Sequence, residues 1–175
     1  MKKPTITLSK IEQEFDLKEL FGVDLSEDES LKQAIGQVMI DQMLSRIDDG
    51  RGIGGVRLKS PYSKLYSESL EFKAAGKSKN KVNMKLTGDM LASIDIVSTD
   101  GNKIVIGIGE DEVEKAFNHQ TGDTVVKRPF FGFTKDEVSS IVGKFKTKVK
   151  KAVSVGEDAT SLLASDLIDQ IEEED

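Results

Sequence analysis

Between Leu86 and Phe133 four punctuated elements follow one another with almost no slack, and this run limits the fold more than any other part of the chain. It reads Leu86-Thr87-Gly88-Asp89-Met90, then a strand, an Asp100-Gly101 turn and a second strand. After these come Ala116-Phe117-Asn118-His119-Gln120-Thr121-Gly122 and Lys127-Arg128-Pro129-Phe130-Phe131-Gly132-Phe133. Ile94 and Ile96 alternate with Asp95, and Ile104, Ile106 and Ile108 alternate with Val105 and Gly107. That period of two predicts a β-hairpin, with Asp100-Gly101 as its type I′ turn signal. Thr87 is placed to cap a short helix leading into the first strand. Glu110, Asp111 and Glu112 sit where a helix start favours negative charge, opening a helix with Val113, Ala116 and Phe117 that ends near Gln120, with Gly122 as breaker.

Helical signals surround this hairpin. Leu31, Ala34, Ile35, Val38, Met39, Met43, Leu44 and Ile47 form a broad apolar stripe, predicting a helix from about Glu29 to Asp48. Thr5 to Leu8 reads as a short edge strand, and Ser9 as the N-cap of a helix ending at Gly22. Gly50, Gly52, Gly54 and Gly55 mark a mobile loop. Ser60-Pro61 then opens a helix through Tyr62, Leu65, Tyr66, Leu70 and Phe72 that stops at Gly76, followed by an exposed polar stretch over 77–81. Thr134 with Glu137 is a capping box for a helix bearing Val138, Ile141, Val142, Phe145, Val149, Ala152 and Val153, ended by Gly156. Leu163, Leu167 and Ile171 recur at four-residue spacing before an acidic tail that frays into solvent.

The expected fold is therefore α+β: a small antiparallel sheet built on a central β-hairpin and packed against several helices, with extended N- and C-terminal segments. The chain divides into an acidic N-terminal extension (1–30), an α+β domain (31–155) and an acidic C-terminal helix and tail (156–175). At 175 residues with 32% charged side chains, one modest domain with polar extensions fits better than two full domains. No apolar run is long enough to span a bilayer, and there is no cysteine, so the expectation is a soluble, unsecreted protein with no membrane partner.

Charge is arranged in blocks. The net charge is −7 over 10–49, +7 over 50–85, −6 over 86–126, +6 over 127–151 and −8 over 156–175. Opposite blocks can pair within a chain or between copies of it and favour ordered side-by-side association, although any one block taken alone reads more readily as a solvated face. Within the second basic block, Lys144, Lys148 and Lys151 recur at spacings of four and three beside Lys146 and Lys150. This lysine stripe reads as a docking surface for an acidic neighbour, such as the carboxylate-rich tail of another copy. Nucleic-acid binding through counterion release is its alternative, without the aromatic interleaving or reader motif that would favour it.

Chemistry-bearing patterns are missing from the sequence. A single histidine, His119, excludes a His-based metal cluster and an HExxH zinc site, and no GxSxG elbow accompanies it. His119 reads as structural, capping its helix end or hydrogen-bonding the turn at Gly122. Gly107-Ile108-Gly109 lacks the third glycine of a dinucleotide fingerprint, since Glu112 stands there, and the Gly50–Gly55 run lacks the ending of a phosphate loop. Carboxylate pairs such as Asp89 with Asp95 or Glu110 with Glu112 read as surface or helix-start acids. No catalytic, cofactor-binding or metal residue is assigned. Phe130, Phe131 and Phe133 have two uses open to them, plugging the core beneath the hairpin and anchoring a partner, and the expectation is some of each. Run as an edge strand, the segment points Arg128 and Phe130 in opposed directions.

Taken in order, Leu86 to Met90, Ser93-Ile94, Val105 to Gly107, Ala116 to Gly122 and Arg128 to Gly132 make the chain resemble the phage virion morphogenesis family, which contains the tail-completion and neck proteins of Mu-like and related tailed phages. The resemblance covers roughly Met39 to Val142. It is thinner before Leu86, where a Gly-rich stretch and a Ser-Pro-Tyr helix start correspond to Gly50 to Tyr66, and the acidic start and end depart from the pattern. It implies a small α+β subunit forming a ring of six copies at the head–tail junction, assembled in the host bacterial cytoplasm and resident in the virion. Each subunit would offer its hairpin and flanking helices to the next. Its partners would be further copies of itself and neighbouring neck and tail proteins: head-completion protein, tail terminator, tail tube or sheath. DNA would pass through the opening without being read. No catalytic residue or cofactor comes with the family. Arg128, Phe130, Phe131, Lys144, Lys148 and Lys151 are the interface candidates, and Thr87, Asp100, Gly101, His119, Gly122 and Thr134 the turn and cap residues. Two other readings are a tail terminator capping tube and sheath, and a nucleic-acid-binding accessory protein.

Overall fold

The computed structural model describes residues 2–58, 62–79, 82–84 and 88–155. Isoleucine alternation sets its centre. Strand β4 (Lys103–Ile108) buries Ile104, Ile106 and Ile108 on one face and pairs antiparallel with β3 (Ile94–Asp100) and β2 (Lys10–Asp16). Strand β1 (Thr5–Thr7) pairs with β2, giving the order β1-β2-β4-β3. Phe15 stands opposite Ile104, Gln13 opposite Ile106 and Ile94 opposite Ile108, so these residues and Ile11 share the inner face. Glu12, Glu14 and Asp95 take the other, as expected of an antiparallel sheet with one wet side.

Helices cover the inner face. α1 (Leu17–Phe21) follows β2 directly, and α2 (Glu29–Asp48) begins where Asp28 accepts a hydrogen bond from the Leu31 amide at 2.9 Å. α2 packs on β3 so closely that a Cβ on Gly36 would collide with the Ile96 side chain. α3 (Lys64–Ser67), α4 (Leu70–Ala74) and α5 (Asp89–Ala92) are short. α6 (Val113–Thr121) lies against β1 and β2, and α7 (Lys135–Val155) packs on α1 while burying Val138, Ile141, Phe145, Val149 and Ala152. The protein is α+β. No helix among the described residues is long and apolar enough to cross a membrane.

Several expectations give way. No helix starts at Ser9, because Lys10–Asp16 is a strand; only the last part, ending at Gly22 in the left-handed region, is helical. Residues 5–25 are consequently not an extension: they supply two strands, and Ile11, Phe15, Leu17, Phe21 and Leu25 are in the core. The long helix after Pro61 is two short ones, capped by Ser63 and Ser69, with Leu65 and Leu70 left 87% and 81% exposed. Ser60 and Pro61 lie outside the described residues, as do Gly156 and the segment after it. The Gly50–Gly55 stretch folds back on itself, Leu58 N–H donating to Gly50 O and Gly52 N–H to Val56 O, both at 2.8 Å.

The hairpin turn also differs in type. Asp100 is paired with Lys103, so the loop is Gly101-Asn102, and of these only Gly101 has a positive φ, +52°. A single positive φ, at the first loop residue, is the II′ pattern rather than I′. A bulge at Val97 shifts the β3 register ahead of this turn. The hairpin tip is tied inward as well: Lys32 Nζ donates to Gly101 O at 3.2 Å, and Asn102 accepts from the Leu25 amide at 2.6 Å. With β4 central and the tip held by α2, only the β3 edge of the hairpin faces outward.

Candidate functional site

The segment from Arg128 to Phe133 is not a strand, so its backbone must find partners elsewhere. Two buried glutamines provide them. Gln120, 4% exposed on α6, accepts from the Phe130 and Phe131 amides at 2.9 and 3.2 Å and donates to Phe131 O at 3.0 Å. Gln13, 1% exposed on β2, accepts from the Phe133 amide at 2.8 Å and donates to Phe133 O at 3.2 Å. Arg46 of α2 adds bonds to Phe130 O at 2.7 Å and Gly132 O at 3.0 Å, while its other terminal nitrogen pairs with Glu137 at 2.7 Å. Each side chain mimics a ladder neighbour, so Phe130 and Phe131 can be wholly buried, at 0% exposure, without leaving orphaned amides. Gly132 completes the bend at φ +109°, where a Cβ would lie 2.5 Å from Pro4 Cγ.

Glu137 belongs to the same network. Burial raises its pKa, and the Thr134 amide bond and the Arg46 charge outweigh that, holding it below its ordinary value. Its carboxylate accepts from the Thr134 amide at 2.8 Å, and the Thr134 hydroxyl accepts from the Glu137 amide at 3.2 Å, forming the expected capping box.

The other face of α6 borders a cleft of about 450 Å³. Both tyrosines of the chain line it, together with Lys77, Met84, Met90, Lys115, His119, Val125, Val126 and Arg128. Tyr62, Tyr66 and Phe72 meet edge to face at 5.1–5.3 Å, bracing α3 against α4. Lys77 Nζ lies 4.8 Å from the Tyr62 ring centre and donates to the Tyr66 hydroxyl at 3.3 Å, and the Arg128 guanidinium stands 5.3 Å from the Tyr62 ring. Lys115 is paired with Glu112 at 2.5 Å. Among the described residues no carboxylate lines this cleft.

Its electrostatics follow from that. Burial foremost, then the charges of Arg128, Lys115 and Lys77, hold His119 below its ordinary pKa. Burial and the Arg128 charge lower Lys77 too. The Tyr62 hydroxyl and His119 Nδ1 are buried without a hydrogen-bond partner. A buried polar atom in that condition calls for a partner, either water or another molecule, and Arg46 Nε beside the phenylalanine segment shares it.

The interface candidates are scattered. Phe130 and Phe131 belong to the core and present no area to a partner, so the plug half of the expectation is what the structure has. Arg128 and Phe130 do not oppose each other across an edge strand; both are buried, Arg128 against the cleft. Lys144 and Lys151 are exposed on α7 and Lys148 is half-buried. Lys144 borders a shallow groove with Arg46, Phe133 and Glu137. His119 does not cap α6: the Gly122 amide bonds Asn118 O at 2.9 Å, with Gly122 in the left-handed region, and His119 contributes its carbonyl to the Arg128 amide. At α5 the cap position is Gly88 with no side-chain bond, and Thr87 lies outside the described residues. Asp100 and Gly101 are at the hairpin turn, and Thr134 caps α7.

Sequence reasoning missed Gln13, Gln120, Arg46 and the cleft. The one available signal for the cleft was that both tyrosines fall within the block of net charge +7. Among the described residues no cluster of three or more His, Cys, Asp or Glu is suited to hold a metal. Comparison of the chain with family models, with curated proteins and with solved structures gives no match in any of the three.

Proposed function

We propose that this chain is a structural subunit of the phage head–tail junction, a neck or tail-completion protein that assembles with copies of itself into a ring joining tail to head and letting DNA pass. The observation that carries the reading is the ordered run from Gly88 to Phe133, where α5, the hairpin, α6 and the buried phenylalanine segment follow one another in the order on which the resemblance rests. Alternating charge blocks and an outward β3 edge give such a subunit surfaces for a heterologous contact that closes on rotation.

Particles assembled without this protein test the reading. A neck subunit leaves filled heads and finished tails unjoined. Tails of uncontrolled length place the chain at the terminator instead. Normal, complete particles lacking this polypeptide overturn both. In a separate binding assay, salt-sensitive duplex binding abolished by Lys144→Glu, Lys148→Glu and Lys151→Glu together moves the reading to a nucleic-acid accessory protein.

A further inference from the structure

We infer that the cleft between α3, α5 and α6 is the socket for the acidic segment 157–175 of a second copy of this chain. The cleft combines two properties that one occupant has to satisfy. Lys77 and Arg128, with Lys115 at the margin in its pair with Glu112, bring positive charge with no carboxylate among the described lining residues, and the buried Tyr62 hydroxyl and His119 Nδ1 lack partners. Much of the remaining lining is apolar, from Met84, Met90, Val125 and Val126. An inorganic anion would meet the charge and leave the apolar walls wet; a plain hydrophobic peptide would do the reverse.

Segment 157–175 carries both features. It holds 8 acidic residues and no basic one, interspersed with Leu162, Leu163, Leu167, Ile168 and Ile171. Carboxylates can accept from Tyr62 and from the cations, and the leucines can cover Val125 and Val126. Attachment to the chain favours a second copy over return to the same one. Thr134 lies only six residues after Arg128, and α7 then runs 21 residues, about 31 Å, so return to the same chain's cleft would spend about half of the segment fully extended in retracing the helix and leave its first leucines unseated. The inference rests on the self-associating subunit proposed above and names the contact through which copies join.

Because the chain has no cysteine, engineered thiols report the contact cleanly. Full-length Val126→Cys and full-length Ser165→Cys are mixed and oxidised, and the product is identified by mass. The expected result is a mixed disulfide dimer, formed at least fivefold faster than with Gln37→Cys on α2 in place of Val126→Cys, and slowed at least fivefold when Lys77→Glu is added to the Val126→Cys chain. Equal yields with Gln37→Cys overturn the inference. So does a disulfide that forms only within single chains of the Val126→Cys, Ser165→Cys double variant, or a Val126→Cys thiol shielded from alkylation by duplex DNA and not by the other chain. Native mass of the unmodified protein separates the two claims: oligomers without the mixed disulfide overturn the socket and leave the ring reading standing, whereas a monomer under all conditions overturns both.

Discussion

The phenylalanine segment and the cleft lie on two sides of α6 and are made of similar parts, cations, aromatic rings and polar side chains, yet they end in opposite states. Around Phe130 to Phe133 the backbone polar groups gather bonds from Gln13, Gln120 and Arg46, and the rings vanish into the core. Around Tyr62 and His119, buried polar atoms wait without partners and cations stack on ring faces. A network satisfied at every backbone group of the segment that Gln13, Gln120 and Arg46 reach, with Arg46 Nε its one buried atom lacking a partner, fixes one conformation of one chain. An unsatisfied one costs stability in the isolated subunit and gains it back only when something enters. The difference separates what holds this subunit together from what is left for another molecule to complete.

That contrast breaks first at Arg46. Arg46→Ala removes two backbone bonds and leaves the half-buried Glu137 beside Phe133 without its cation, an expected loss of about 2–4 kcal/mol by urea denaturation. Gln120→Leu keeps the volume but orphans the Phe130 and Phe131 amides, with an expected loss of about 2–3 kcal/mol on the same measurement. Gly132→Ala, forced to keep a positive φ and to displace Pro4, is expected to lose about 1–3 kcal/mol. Losses under half a kcal/mol at all three would mean that the segment is not the lock described.

Cleft substitutions are expected to be mild, and that sharpens the comparison. His119 is held below its ordinary pKa of 6.5, so the unfolded chain takes up a proton that the folded one refuses. Its contribution is fully present above pH 6.5 and is lost as pH falls from there through the folded value. The groups facing it are Arg128, Lys115, Lys77 and the two tyrosines. Urea midpoints at pH 7.5 and 5.5 lie above the range where Glu29, held down to about 2 by bonds from Lys32, Gln33 and Thr99, takes up its proton. Between them the unmodified chain should lose more stability than His119→Gln. Smallest of all is Tyr62→Phe: deleting a hydroxyl that has no partner should change stability by less than about 0.5 kcal/mol, or raise it. A Tyr62→Phe loss as large as that of Gln120→Leu would erase the distinction between the two regions.

Where local chemistry decides structure, the sequence was legible. The Glu29–Asp48 helix follows from its apolar stripe, the α7 start from Thr134 and Glu137, and the hairpin from isoleucine alternation. It misled at Lys10–Asp16 because Ile11 and Phe15, four apart, fit a helix, while the inward residue between them is the polar Gln13. Gln13 is inward because it serves the Phe133 backbone, a contact 120 residues away that no local pattern records. Tyr62, Leu65, Tyr66, Leu70 and Phe72 looked like one helical stripe, but the chain breaks at Ser69, burying Phe72 and half-burying the two tyrosines while exposing the leucines. The cleft was invisible for the same reason: Lys77, Lys115 and Arg128 converge only after folding.

Native mass spectrometry of the full-length protein over rising concentration, alone and with tail components, tests the assembly claim most directly. The account predicts a closed oligomer of one uniform copy number that dissociates with added salt or with Lys77→Glu. A chain that stays monomeric throughout, with its cleft empty and its partners present, contradicts it.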